Sequence, residues 1–257
     1  MKLTIIGCSD AFSSGGRFHS CYLLDTDQGR LMIDCGANSP LALKRAGIAL
    51  SSVDAILISH CHGDHYGGLP FLFLEKMFVE RGPKPIEILG PAGIEGRTAA
   101  LMEAMYPTTL SSAPKDFALV YREFKPAETL SWRGLQITAH EVMHFLTAHE
   151  VMHFSGSPSL ALRVSDGVKE FAFSGDTTWC DGVNEAGRGT DLYLIECTLF
   201  STKSGVHLDY LTLAEKFETI GAKRYLLTHM SPEMLAATGK IDQGRCLLAE
   251  DGLSVDV

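Results

Sequence analysis

Three histidines and an aspartate fall within six residues of this sequence, in Ser59-His60-Cys61-His62-Gly63-Asp64-His65-Tyr66-Gly67-Gly68. Imidazole nitrogen and carboxylate oxygen are the donors that a borderline-soft divalent cation such as zinc takes. The run follows an apolar stretch at 55–58 that reads as a strand, so His60 and His62 can be aimed to one side as the chain leaves it. A tight turn at Gly63 then brings Asp64 and His65 round, while Cys61 points the other way and reads as core. Four donors in one turn are enough to serve two metals. Two more donors, Asp176 in Phe173-Ser174-Gly175-Asp176-Thr177 and His229 in Leu226-Leu227-Thr228-His229-Met230, also stand where the chain leaves a strand. Each alone is an ordinary turn or strand-end residue, but their shared placement is where open α/β architectures collect ligands.

Four of the remaining histidines lie in a repeat. Thr-Ala-His-Glu-Val-Met-His-Phe occupies 138–145 and recurs unchanged at 147–154, so a nine-residue tandem duplication spans 138–155. An odd offset flips every side chain of a strand to the other face, and nine residues at about 100° each turn a helix by half a revolution. The copies therefore cannot do one job within one element: one holds the ancestral position and the other bulges or lengthens a loop. His140 to His144 and His149 to His153 also match the H-E-x-x-H pattern of zinc proteases. That motif needs a helix, whereas Leu135-Gln136-Ile137-Thr138 enters the repeat as a strand, so the protease reading is the weaker one.

Taken together, His-x-His-x-Asp-His after a strand, the Ser-Gly-Asp-Thr and Thr-His-Met segments and an early Asp34-Cys35-Gly36 resemble the metallo-β-lactamase superfamily over most of the chain. Gly-Gly-Leu-Pro at 67–70, Glu196-Cys197-Thr198 and His207 are most similar to its ribonuclease Z and cyclic-nucleotide phosphodiesterase branch. The resemblance implies a four-layer αββα sandwich of two mixed sheets flanked by helices, and a metal-dependent hydrolase. It implies two zinc ions, with manganese or iron as alternatives: one held by His60, His62 and a histidine of the repeat, the other by Asp64, His65 and His229, with Asp176 bridging. In the family that histidine precedes a small-residue turn and a strand, which 154–160 supplies after His153. His153 is therefore the expected ligand, and His144 the substitute if the inserted copy loops out after it.

Two such metals can hold a hydroxide at neutral pH and stabilise both oxygens of a phosphoryl displacement. Asp64 is placed to orient that hydroxide, and His207, with Glu196, to protonate a leaving alkoxide. Read without the resemblance, these last two are a surface histidine and a strand-end carboxylate. The chain is short for a ribonuclease Z, 90–136 leaves little room for a tRNA-clamping arm, and 31 acids against 22 bases give a net charge of -9. A small phosphodiester or cyclic nucleotide is thus the expected partner, and a large nucleic acid is not favoured. Ester, thioester or lactone hydrolysis on the same metals is the alternative, and a metal-poor inactive fold a further one. β-Lactam hydrolysis is disfavoured, since a bridging aspartate belongs to other branches. No residue is singled out for substrate binding, although the loop Ser13-Ser14-Gly15-Gly16-Arg17, His19, Lys203 and Lys223 could meet a phosphate.

The elements that must position these residues follow from pattern. With 257 residues, 46% hydrophobic and 21% charged, the chain is an ordinary folded protein, and no apolar run approaches the ~20 residues of a membrane span. Seven cysteines without a C-x-x-C pair suit reduced thiols, and the N-terminus reads as a first strand rather than a signal, so a cytoplasmic location is expected. Strands are expected at 3–7, 21–25, 30–34, 54–59, 86–89, 117–122, 135–140, 160–164, 170–174, 191–195 and 225–228. Helices are expected at 41–46, 69–79, from Gly90-Pro91 to near Pro107, and after Asp209 as far as Gly221. No linker divides residues 1–257, so a single domain is expected, with Phe71, Phe73, Met77 and Phe78 mainly core and secondarily a homodimer surface.

Overall fold

The computed structural model describes the chain apart from residues 126, 145, 149–150 and 154–156, and gives the backbone alone for 146–148 and 151–153. Strands β1 (Lys2–Gly7), β2 (Cys21–Thr26) and β3 (Gly29–Ile33) run antiparallel, and β4 (Ala55–Leu57), β5 (Ile86–Pro91) and β6 (Leu119–Phe124) continue the sheet in parallel. Their connections carry α1 (Ser39–Arg45), the single turn α2 (Gly63–Tyr66), α3 (Leu69–Phe78) and α4 (Ile94–Met105). The second half gives β7 (Thr129–Trp132), β8 (Leu135–Val142), a separate hairpin of β9 (Leu146–Ala148) and β10 (Val151–His153), then β11 (Ser159–Ser165) and β12 (Glu170–Phe173). There follow α5 (Asp181–Gly187), β13 (Leu192–Glu196), α6 (Tyr210–Ile220), β14 (Tyr225–Thr228), α7 (Pro232–Ala236), β15 (Cys246–Leu248) and β16 (Ser254–Asp256). The second sheet has the order β15-β14-β13-β12-β11-β8-β7, and β16 returns to β1 to complete the first.

Period-two alternation builds the layers. Tyr22, Leu24, Leu31 and Ile33 of one sheet meet Ile137, Leu162, Phe173 and Leu194 of the other in a buried central core. Their neighbours Leu23, Met32 and Ile56 face outward under Leu43, Phe73, Met77 and Met102. Likewise Ala172, Tyr193, Ile195 and Leu227 face outward under Val183, Leu213 and Phe217. Each sheet is thus covered on both faces, which is why its strands read as near-continuous apolar runs. A hydroxyl pair, Tyr22 Oη with Thr228 Oγ1 at 2.8 Å, crosses this apolar interior.

The differences from expectation have local causes. Helix α4 starts at Ile94 because Gly90 and Pro91 still pair with Glu123 and Phe124 in the sheet. The short β7, β15, β16, α5 and α7 carry too few periodic positions to stand out in sequence. Asp209 caps α6 by accepting from Thr212 N, and Gly221 ends it at φ 66°, both as the pattern predicts.

The repeat resolves asymmetrically. The first copy continues β8 without interruption, in register with β11 from Gln136 opposite Ser165 to Val142 opposite Ser159. The second copy falls in the β9–β10 hairpin, outside both large sheets. The first copy completes the ladders of β8 with β7 and β11 as far as Val142, so the surplus residues lie between His144 and β11. His140 and Glu141 lie on a strand, not the helix that the protease motif requires. Deleting 146–154 shortens the connection 143–158 to seven residues without touching a ladder of either large sheet. The deletion variant is expected to melt within a few degrees of the parent by calorimetry; loss of a cooperative transition would show that the hairpin supports the sandwich.

Candidate metal centre

The donors and the residues that brace them gather at one edge of the sandwich, most where the chain leaves a strand. Asp34 follows β3, His60 follows β4, Asp176 follows β12 and His229 follows β14. Strand β8 runs in the same direction as β12, because both are antiparallel to β11, and so delivers His144 to that edge two residues after Val142. The α2 turn then sets Asp64 and His65 in its first residues. Two close approaches require glycine: a Cβ on Gly36 would sit 2.3 Å from Asp64 O, and one on Gly175, at φ 58°, 2.7 Å from Leu160 O. Asp34 and His229 themselves adopt φ 56° and 59°. Such left-handed residues need surrounding bonds to hold them. Ser59 N and Oγ donate to Asp34 at 2.8 Å each, and His229 N donates to Cys8 O at 3.1 Å.

The side chains form two adjoining donor sets, His60 with His62 and His144, and Asp64 with His65, Asp176 and His229, the donor atoms of each set within 4.8 Å of one another. In the first set, His62 Nδ1 stands 3.1 Å from His60 Nε2 and 3.0 Å from His144 Nε2. In the second, Asp176 Oδ2 is 3.3 Å from His65 Nε2 and 3.2 Å from His229 Nε2, while Asp64 Oδ2 is 3.4 and 3.3 Å from the same nitrogens. Asp176 also groups with His144 and His207, so it touches both sets.

Hydrogen bonds behind the donors fix which nitrogen faces inward. His65 Nδ1 donates to Asp34 Oδ2 at 2.7 Å and His144 Nδ1 to the Val206 carbonyl at 2.8 Å. Thr198 Oγ1 donates to Glu196 Oε2 at 2.6 Å and so accepts from His229 Nδ1 at 3.0 Å. In its neutral form each of these rings therefore turns a lone pair toward the centre. Among the described residues no well-aligned hydrogen bond satisfies the buried His65 Nε2, although the Asp176 and Asp64 carboxylates stand 3.3 and 3.4 Å from it. Four ligands set tetrahedrally around zinc stand about 3.3 Å from one another, close to the spacings here, so the donors fit divalent cations.

The electrostatics divide the sets. Burial holds the His60 imidazolium well below the usual histidine range and His62 down at about 4, with the neighbouring imidazoles adding to both shifts. Burial lowers His144 as well. Neutral imidazole is the form that binds metal. In the second set burial opposes ionisation, but Asp176, Asp64 and Asp34 raise His65 well above its ordinary value, and His65 and His229 hold Asp64 and Asp176 far down.

At the rim, His207 Nδ1 donates to Glu196 Oε1 at 3.1 Å and lies 4.0 Å from Asp176 Oδ2. Although its burial favours the neutral ring, the Glu196 carboxylate pushes His207 up to about 9. Glu196 is fully buried and also accepts from Thr177 N at 2.6 Å and Leu208 N at 3.3 Å.

The structure thus brings together His60, His62, Asp64, His65, Asp176, His207 and His229, as the sequence suggests, and places His144 beside His62 in the position expected of His153. The His153 side chain lies outside the described residues, and its backbone sits on β10 opposite Leu146. Arg17 is turned to the Ala249 carbonyl (3.3 Å), while Lys203 and Lys223 pair with Asp209 and Asp191. Two partners are not assigned by the sequence: Thr198, which stands there only as the end of Glu196-Cys197-Thr198 with no role of its own, and the Val206 carbonyl, because a backbone oxygen has no residue type.

The model of the family Anti-Pycsar protein Apyc1 matches residues 1–253. The Anti-Pycsar protein Apyc1 of Saccharibacillus brassicae is 36% identical over 111 residues, covering 43% of this chain and 42% of that protein. A probable metallo-hydrolase of Bacillus subtilis, YhfI, is 25% identical over 237 residues, 90% of this chain and 87% of the relative. Among solved structures, human tRNase Z, short form, superposes with a TM-score of 0.78 at 23% identity, over 100% of this chain and 99% of that one. YhfI and tRNase Z share the metallo-β-lactamase fold seen here. With its model spanning nearly the whole chain, the protein belongs to the Anti-Pycsar protein Apyc1 family.

Proposed function

We propose that this metal-dependent hydrolase binds two divalent cations, zinc first among them, and cleaves a small phosphodiester such as a cyclic nucleotide. The observation that carries the reading is the pair of adjoining donor sets sharing Asp176, with the His207–Glu196 pair at their rim. His60, His62 and His144 would hold one cation and Asp64, His65 and His229 the other, with Asp176 within reach of both sets. Bound there, the cations supply an activated water and polarise the phosphoryl oxygens. Asp64 would also orient the attacking water. His207, fixed through Nδ1 by Glu196, turns Nε2 toward the leaving oxygen and gives it a proton. The likeness to tRNase Z and the family's Anti-Pycsar name are consistent with a phosphodiester. A small substrate is favoured because only turns at 106–118 join α4 to β6, and because the net charge of -9 repels a long phosphate backbone.

Three measurements test this. Purified enzyme is expected to contain two metals and to hydrolyse bis(p-nitrophenyl) phosphate in preference to a lactone and thioester panel. Lactone or thioester cleavage without diester turnover would keep the metals and overturn the substrate class, while a metal-free chain would overturn the centre. His144→Ala should lose metal by elemental analysis whereas His153→Ala keeps it; the reverse would return the ligand role to His153. His207→Ala should cut turnover of a cyclic nucleotide, whose leaving group is an alkoxide, by about 10²-fold or more, with little change for a p-nitrophenolate leaving group. An equal fall on both substrates would remove His207 as the acid.

A further inference from the structure

We propose that Glu233 is a positioning residue for His207, acting through the loop between β13 and α6. This rests on His207 as the proton donor. The loop closes on itself: Leu199 N donates to Leu208 O at 3.2 Å, Tyr210 N to Leu199 O at 2.9 Å and Leu211 N to Phe200 O at 3.2 Å. Inside that closure the N–H groups of Phe200, Ser201 and Thr202 all donate to one oxygen, Glu233 Oε1, at 3.2, 3.0 and 3.1 Å. Successive backbone N–H groups converging on one carboxylate oxygen form an anion nest, and charge-assisted bonds of this kind are among the stronger ones available at a surface. At the other end Lys203 Nζ bonds both Asp209 oxygens at 3.0 Å and Thr212 Oγ1 at 2.6 Å.

Between these two fastenings the loop sends two groups into the centre. The Val206 carbonyl meets His144 Nδ1 at 2.8 Å, and His207 Nδ1 meets Glu196 at 3.1 Å. Glu233 stands in the first turn of α7, four residues after His229, so one short segment carries both a metal-facing imidazole and the anchor of the loop that bears the acid. Proton transfer needs a heavy-atom approach of about 2.6–3.2 Å, and a displacement of about 1 Å costs on the order of 10²-fold in rate. Removing the carboxylate frees three N–H groups at once and lets residues 200–207 shift.

The metal-loaded enzyme and its Glu233→Ala, Glu233→Asp and Glu233→Gln variants are compared on a nucleoside cyclic phosphate and on bis(p-nitrophenyl) phosphate. Glu233→Ala, and Glu233→Asp with its shorter reach, should lose about tenfold in kcat on the cyclic phosphate at unchanged KM, and under twofold on the nitrophenyl ester. Glu233→Gln keeps an acceptor oxygen and should restore most of the rate. Deuterium exchange at 200–208, which needs no substrate, should quicken in the Ala variant and not in the Gln variant. An equal fall on both substrates, or unchanged exchange, overturns the proposal. If His207→Ala shows the leaving-group contrast and Glu233→Ala does not, Glu233 alone is dismissed; if neither shows it, the assignment of His207 fails and takes this one with it.

Discussion

Five imidazoles and two carboxylates are crowded into one edge of the sandwich, most of them out of contact with water. Burying that many polar groups is costly unless each finds a partner, and the costs differ by set. In the first, burial disfavours the charged imidazolium while the rings meet nitrogen to nitrogen at 3.1 and 3.0 Å. In the second, carboxylates and imidazoles offset each other. A metal ion held by these residues would relieve both problems. The outer hydrogen bonds from Asp34, Thr198 and the Val206 carbonyl then serve chiefly to decide which nitrogen is presented.

Holding these groups together dictates the architecture around them. The donors come from both halves of the chain, so the two sheets must meet with their carboxyl-terminal strand ends on the same side. The central core from Leu3 to Val257 provides the rigid contact, and its alternation fixes which face of each strand looks inward. A one-residue slip in β12 or β14 would turn Asp176 or His229 away from the centre along with the apolar residues beside them. Core packing and metal geometry are therefore specified by the same registers, and the left-handed backbone at Asp34 and His229 marks where the chain bends out of a register to reach the site.

Local chemistry was the legible part. Donors clustered within six residues, or standing at the end of an apolar strand, announce themselves by type and spacing, as His60 to His65, Asp176 and His229 do. What could not be read was which of two identical octapeptides occupies the site. The downstream turn pointed to His153, whose side chain lies outside the described residues, while the structure sets His144 beside His62, two residues after β8 ends in its ladder with β11. Partners supplied by distant segments, such as Val206 for His144 or Glu233 for the loop at 200–202, leave no trace in local pattern.

The connection between β8 and β11 begins beside His144 and leads into β11, where Leu160 N bonds Ser59 O next to His60, so both of its ends abut the metal centre while its described strands β9 and β10 belong to neither large sheet. Lengthening such a connection from seven residues to sixteen adds only about 0.7 kcal/mol of closure entropy. Length there is nearly neutral to folding and yet acts on the immediate surroundings of the reacting atoms. Variation accumulating in this segment can therefore alter which molecules reach the centre while the donors themselves stay in place, separating the evolution of selectivity from that of the chemistry.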